Sequence, residues 1–274
     1  MINKFYRYQK TMKIISLYYH DPIIEGVEKM IIYYQKRGFR FISVVELLAI
    51  MQEGKPLQEK LAFISLDDGW KQNFELLPII EKYHVPVCIF VATEPVLSGN
   101  FWWEYVSKFR DKRELEEFKK LPYKEFYRQL EEMKSQIKLK RSAMTKEEVI
   151  AISHHPLVSI QAHTVNHPIL TTQPDDVVEM EMREGKKILE EWIGKEVFAF
   201  SYPNGRNTCR ESNMARKYYD IAFTTKQEHI HIGKDIMLLP RYGLTGQWPR
   251  DLFKAWGLWK VLKMICVKLG VKRP

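Results

Sequence analysis

Segments of strand length and composition alternate with segments of helical period along most of this chain, and no other feature of the sequence constrains the fold as much. Residues 13–20 read as a first strand, stopped by Pro22; residues 25–37 have helical spacing and Gly38 sits where a helix would stop. A short strand at 39–42 leads to Ser43, placed to N-cap a helix over 44–52. Further strands are predicted at 61–66, 87–91, 157–162, 197–202, 221–224 and 236–239, with helices at 71–83, 175–192 and 211–219. Strands joined through helices imply a parallel sheet or barrel. The alternation pauses between about 102 and 153, a stretch dense in Lys, Arg and Glu. It reads as two or three solvated helices inserted on a rim, and no chemistry is assigned to it.

The polar groups fall where such a fold handles ligands. His20, Asp67, Asp68, His163, His167, the Pro203 to Gly205 turn and Arg241 each lie at or just after the end of a predicted strand. In a parallel barrel all of them face one mouth. The most pointed case is Leu61-Ala-Phe-Ile-Ser-Leu-Asp-Asp-Gly-Trp70, an apolar run ending in two acids and a glycine. Alone, Asp-Asp-Gly reads equally well as a turn with a helix cap. The spacing His163-x-x-x-His167 lets two imidazoles reach one ion from a single loop, and a carboxylate from Asp67 or Asp68 would complete the set. Two histidines and one acid leave positions for water, which suits a catalytic divalent metal rather than a closed structural one. The zincin pattern does not apply, because Thr164 stands where its glutamate would be.

Ser65-Leu-Asp-Asp-Gly69, His163-Thr-Val-Asn-His-Pro168 and Phe200-Ser-Tyr-Pro-Asn-Gly205, in this order and at this spacing, resemble the polysaccharide deacetylases of the NodB-homology type. The likeness runs from Tyr19-His20 through Leu239-Pro-Arg241, apart from the charged insertion. It is closest to the subgroup acting on N-acetylhexosamine polymers and surface-glycan intermediates. The resemblance implies an α/β fold, a distorted (β/α) barrel of seven or so parallel strands. Its catalytic domain would span 13–247, including the helical insertion, with a basic amphipathic tail at 248–274. It also implies a metal-dependent hydrolase that releases acetate from an N-acetylated amino-sugar glycan or a lipid-linked sugar. Asp67 would be the general base, and Asp68, His163 and His167 would hold the divalent cation, expected to be zinc, with cobalt, nickel or manganese as alternatives. The backbone N–H of Asn204 would bind the oxyanion, Gly205 would let that turn approach the metal, and Tyr202 would belong to the same substrate-binding turn.

Two departures from the family pattern matter. Ser201 and Asn204 replace the arginine and the aromatic residue of the common Arg-x-Pro-Tyr/Phe-Gly motif, so Arg241 is expected to supply the missing cation. The late Leu-x-His is absent from Met237-Leu-Leu-Pro-Arg241, which leaves His20, His229 and His231 as general-acid candidates; His20 has the better position. Trp102 and Trp103 are candidates for stacking on a sugar, whereas Trp70 reads as core. Two other functions fit these departures: a glycan-binding module with impaired catalysis, and an amidohydrolase with a non-sugar substrate.

Charge bounds the partners. Forty-three basic and 34 acidic residues leave a net +9, but no compact Lys/Arg run with interleaved aromatics points to nucleic acid. Cys88, Cys209 and Cys266 share no metal-like spacing and read as reduced thiols; together with the lack of a signal-length apolar stretch they predict a cytoplasmic protein. In the tail, Leu258, Leu262, Ile265 and Leu269 recur at helical spacing, with Lys254, Lys260, Lys263 and Lys268 mainly off that stripe and Trp256 and Trp259 nearby. Such a helix either lies on an anionic membrane face, giving peripheral contact through 248–274, or packs on the barrel.

Overall fold

A computed structural model describes residues 13–256. The expected alternation is present. The first half runs β1 (Ile15–Tyr19), α1 (Ile24–Gln35), β2 (Phe39–Phe41), α2 (Val44–Glu53), β3 (Lys60–Asp68), α3 (Lys71–Glu75), α4 (Leu77–Tyr83), β4 (Val87–Val91) and α5 (Thr93–Ser98). After it come α6 (Trp102–Phe109), α7 (Lys112–Phe118), α8 (Tyr123–Gln136), α9 (Lys146–Ser153) and β5 (Val158–Ala162). The chain continues through α10 (Asp175–Ile193), β6 (Ala199–Ser201), α11 (Cys209–Ala215), β7 (Ile221–Phe223), β8 (Tyr242–Gly243) and α12 (Arg250–Ala255). These strands form an eight-stranded sheet in the order β7-β6-β5-β4-β3-β1-β8, with β2 added beside β3, and every strand pairing is parallel.

A single segment joins the two edges of the sheet into a distorted barrel. Leu239 bridges Phe223 of β7, exchanging bonds with the Thr224 N–H and the Ala222 carbonyl, while Tyr242 and Gly243 pair with Leu17 and Tyr18 of β1. The strand expected at 236–239 is instead a 3-10 turn over Ile236–Leu238, and the paired strand begins after Arg241. The cause is local. The Asp235 carboxylate caps the Met237 N–H, and Pro240 has no N–H to give a ladder. The helix expected at 71–83 is likewise two pieces, because Pro78 in the first turn of α4 cannot close onto the preceding turn.

The period-two alternation along β3 sorts the core. Leu61 and Phe63 join Cys88, Phe90, Ile221 and Phe223 inside the barrel, with Ile42, Val44 and Leu47 packed on the same cluster. Ala62, Ile64 and Leu66 face outward into the layer shared with α1, α4 and α10. Helices α6 to α8 surround a separate apolar cluster built on Trp102, Tyr105, Val106, Phe118, Phe126, Leu130 and Met133, whereas Val149 and Ile152 of α9 join the main core beside β5. The stripe expected along 258–269 lies outside the described residues. Before it, α12 packs on the barrel through Leu252 and Ala255, and buried Asp251 accepts the Thr245 and Gly246 N–H groups.

Candidate active site

Parity decides which way the two acids point. Ser65 and Asp67 continue the inward row of Leu61 and Phe63, so Asp67 enters the barrel, 1% exposed. There Arg241, fully buried, grips both of its carboxylate oxygens at 2.7 and 2.8 Å. The same guanidinium donates to Ser65 Oγ at 2.9 Å, Ser201 Oγ at 2.8 Å and the Thr224 carbonyl at 3.2 Å. It rests 4.4 Å from the Tyr18 ring centre. Ser201 stands in the place of the family's arginine and bonds both partners, donating to Asp67 at 3.3 Å. Burial pushes the Asp67 carboxyl up, but the charges of Arg241 and then of His163 outweigh it and hold the group below its usual value.

Asp68 ends β3 with φ at 77°, and Gly69 follows at 92°. This bend turns Asp68 into the mouth. Its Oδ1 lies 3.2 Å from His163 Nε2 and 3.4 Å from His167 Nε2, all three residues being buried. One donor atom from each falls within 4.8 Å of the others. His163 Nδ1 meets the Ser201 carbonyl at 2.6 Å, which fixes the proton there and leaves Nε2 a bare lone pair. Asp68 Oδ1 has no hydrogen-bond partner, an anionic orphan ringed by two imidazoles. Burial pushes the His167 imidazole down to about 3, so it is neutral and able to ligate. Against the opposing effect of burial, His20 and the two imidazoles hold Asp68 well below the usual carboxylate range. Such a donor set fits a divalent cation.

The loop carrying both histidines is bound from several sides. The Val165 and Asn166 N–H groups donate to Glu181 Oε2 at 2.9 Å each, and Asn166 Nδ2 donates to Oε1 at 2.7 Å. Thr93 and Glu94 donate to the Thr164 and Val165 carbonyls, Thr164 Oγ1 accepts the His167 N–H, and the Trp102 indole donates to the His167 carbonyl at 3.1 Å. These bonds hold Thr164 at φ 68° and His167 at φ 56°, strained values for such residues. Gly185 of α10 lets the helix approach, since a Cβ there would lie 2.9 Å from the Thr164 carbonyl carbon. Sequence reasoning passed over Glu181. The available signal was an acid on a helical row otherwise made of Val178, Met182, Gly185 and Leu189, every one of them buried.

The cleft over these groups has a volume of about 240 Å³ and is lined by His20, Asp68, Trp70, Trp102, Trp103, Leu115, Lys119, His167 and Asn204. Among the described residues His20 is the histidine that lines this cleft besides His167; His229 and His231 face a second cavity across the Pro203 to Gly205 turn. Trp70 is not core. It is half-buried, borders the cleft, and donates its indole N–H to Asp68 Oδ2 at 2.9 Å. Trp103 is half-buried too and stacks on Phe101 at 4.8 Å, while Trp102 is almost wholly buried. The charged insertion is therefore part of the site, because Leu115 and Lys119 line its wall.

The turn after β6 is more selective than the sequence implied. Asn204, at φ 54°, borders the cleft. Gly205 does not; its N–H closes onto the Tyr202 carbonyl at 2.7 Å, and it faces the second cavity. Its absent side chain matters all the same: a Cβ would meet Thr225 Oγ1 at 2.1 Å. The Tyr202 side chain is no substrate contact. Ala199 and Ser201 face the barrel interior, so Phe200 and Tyr202 point outward, and Tyr202 is fully buried in the outer core.

Comparison with known proteins bears on the family and the fold. A family model described as polysaccharide deacetylase matches residues 54–219. Among curated proteins, YxkH of Bacillus subtilis (strain 168), assigned by name to the polysaccharide deacetylases, is 21% identical over 191 residues. The match covers 69% of this chain and 53% of that protein, so the chain spans about half the length of this relative. Among solved structures, Streptococcus pyogenes deacetylase PplD in complex with acetate aligns with a TM-score of 0.66 at 18% identity, over 89% of this chain and 97% of the other. IcaB from Ammonifex degensii aligns with a TM-score of 0.67 at 18% identity, over 90% and 97%. At such identities the two structures speak for the fold alone. The family match covers residues 54–219, which include strands β3 to β6 and the acid and histidine motifs, and the chain belongs to the polysaccharide deacetylase family.

Proposed function

We propose that this protein is a metal-dependent N-deacetylase that hydrolyses the acetamide of an amino sugar in a glycan or glycolipid intermediate. One observation carries the reading: Asp68, His163 and His167 converge on one point beside a second acid, Asp67, which Arg241 holds by both oxygens. A bound divalent cation, zinc by the chemistry of two imidazoles and one carboxylate, would supply Lewis acidity toward the acetamide carbonyl and acidify a water. Asp67 receives the proton of the attacking water on a lone pair that Arg241 leaves open. The Asn204 N–H offers a hydrogen bond to the oxyanion, and Trp70 and Trp103 offer faces to the sugar ring. His20, exposed at the rim, gives its proton to the leaving nitrogen as the C–N bond breaks, so acetate and an amine depart. Release of acetate from N-acetylglucosamine oligomers, abolished by chelation, restored by zinc and lost in Asp67→Asn, tests the reading. Zinc-loaded protein that binds these oligomers without releasing acetate would instead make it a glycan-binding module.

We further propose a cytoplasmic protein whose tail contacts an anionic membrane, where a lipid-linked sugar would be met. Exposed Trp248 and Trp256 beside Tyr33, with Arg37 stacked on that ring at 3.5 Å, support this. Co-sedimentation with phosphatidylglycerol vesicles that is unaffected by deleting residues 257–274 would refute the tail's part in it.

A further inference from the structure

The cleft is small and walled on one side by a helix that the barrel does not require. Its volume of about 240 Å³ falls below the roughly 300–1,000 Å³ usual for small-ligand sites, room for about one sugar ring beside the metal ligands. The wall consists of Leu115 on α7 and Lys119 just past its end, and Asn204 lines the same cleft. This wall is not a loose loop. Phe118 of α7 is buried in the insertion's own apolar cluster, and Trp102 of the same cluster donates to the His167 carbonyl, so the wall is fastened to the metal loop itself. Glu116 holds Lys119 at 2.6 Å and lies 4.0 Å from Arg206, which directly follows the Asn204-Gly205 turn. An exposed pair of that kind adds little strength, but it marks where the two sides of the cleft meet. A polymer bound mid-chain needs a groove open at both ends, and here the Glu116 side chain of α7 comes within 4.0 Å of Arg206 beside the turn.

We propose that α7 and Lys119 make this a chain-end site, which admits one terminal acetamido sugar and excludes internal residues of a polymer. The inference rests on the deacetylase reading and narrows its substrate class. The Lys119 ammonium, held by Glu116, then serves as a donor to a hydroxyl of that terminal ring, and the rest of the glycan or its carrier leaves through the side bordered by His20 and Trp70.

The test uses N-acetylglucosamine oligomers of two to six residues, labelled at the reducing end, with zinc-loaded full-length protein and tandem mass spectrometry to locate each lost acetyl group. One acetyl lost per chain, from an end residue, with kcat/KM changing less than threefold across the series, is the expected result. Loss from internal residues, or a more than tenfold rise in kcat/KM with length, overturns it. In the double variant Leu115→Gly, Lys119→Ala the losses should spread inward; an unchanged distribution in protein of normal thermal stability also overturns it. Binding supplies a readout free of turnover: calorimetry on Asp67→Asn should show affinity levelling off beyond two residues. Level affinity without acetate release from the native protein would sink the deacetylase reading and leave the chain-end site standing. Affinity that climbs through six residues, or no binding at any length, would sink the chain-end site.

Discussion

Arg241 satisfies two buried serines, a carbonyl and both oxygens of Asp67 from a position with no exposure to solvent. Only a planar guanidinium offers enough donors in that fork, so lysine is a poor substitute. Arg241→Ala strands a buried carboxylate, which costs about 3–5 kcal/mol of stability. It also frees Asp67 to shift, which costs turnover on the order of 10²-fold. Arg241→Lys should fall between the two proteins in urea unfolding and in acetate release; native turnover in Arg241→Ala would refute the positioning role. The pair also has a pH signature. The Asp67 carboxyl titrates below its ordinary value in the folded chain, so on acidification the unfolded chain takes up that proton first. The stabilisation is therefore complete above the unfolded value, about 4, and is lost as the pH falls through the folded one. In metal-free protein, Asp67→Asn should flatten the fall in unfolding free energy as the pH drops below about 4.

The element that matters most is the loop from His163 to His167, whose shape is imposed by α10. Glu181 collects three donors from it without exposing an atom, and Gly185 leaves space for the Thr164 backbone. Glu181→Gln keeps the volume but offers one acceptor oxygen and an NH₂ that would face donors. Both imidazoles should then lose their alignment, and zinc affinity should fall about 10–100-fold by calorimetry, with little change in the far-ultraviolet spectrum. Gly185→Ala forces the helix from the loop and should cost about 1–3 kcal/mol. Affinity equal to wild type in both variants would show that the loop holds its own shape. These dependencies explain what the sequence did and did not disclose. Strand ends carrying His20, Asp67, Asp68 and His163 were legible because apolar runs of strand length stopping at polar residues can be read locally, whereas Arg241 follows a 3-10 turn, not the strand expected at 236–239. The Tyr202 misreading came from taking a motif as a unit, when the parity of Ala199 and Ser201 already turned that ring outward. Glu181 and Lys119 meet their partners across 15 or more residues, so even the acid on the buried row of α10 did not name what it binds, and Trp70 reaches Asp68 two residues back only because the chain bends at Asp68 and Gly69.

At the scale of the molecule, the barrel is closed by one short segment, 239–243, which pairs with β7 at one end and β1 at the other and places Arg241 between them. Closure and the geometry of the proposed site therefore depend on the same residues, and a cation at the mouth should register in the stability of the whole barrel. Asp68 ends β3, and both histidines follow β5 across β4 from it, so an ion held by all three links non-neighbouring strands. A ligand that binds only the folded chain stabilises it by RT ln(1 + [L]/Kd), about 2.7 kcal/mol at a hundredfold excess over Kd. For a domain of this size, that raises the melting temperature by about 5–10 °C, at roughly 2–4 °C per kcal/mol. Chelated protein titrated with zinc should show this rise in differential scanning calorimetry. His167→Ala should abolish it, because two remaining ligands hold zinc weakly, whereas Asp67→Asn should retain it, since Asp67 binds Arg241 and not the ion. Zinc stabilisation that survives loss of His167 would place the ion somewhere other than between β3 and β5 and would remove the physical basis for hydrolysis at this mouth.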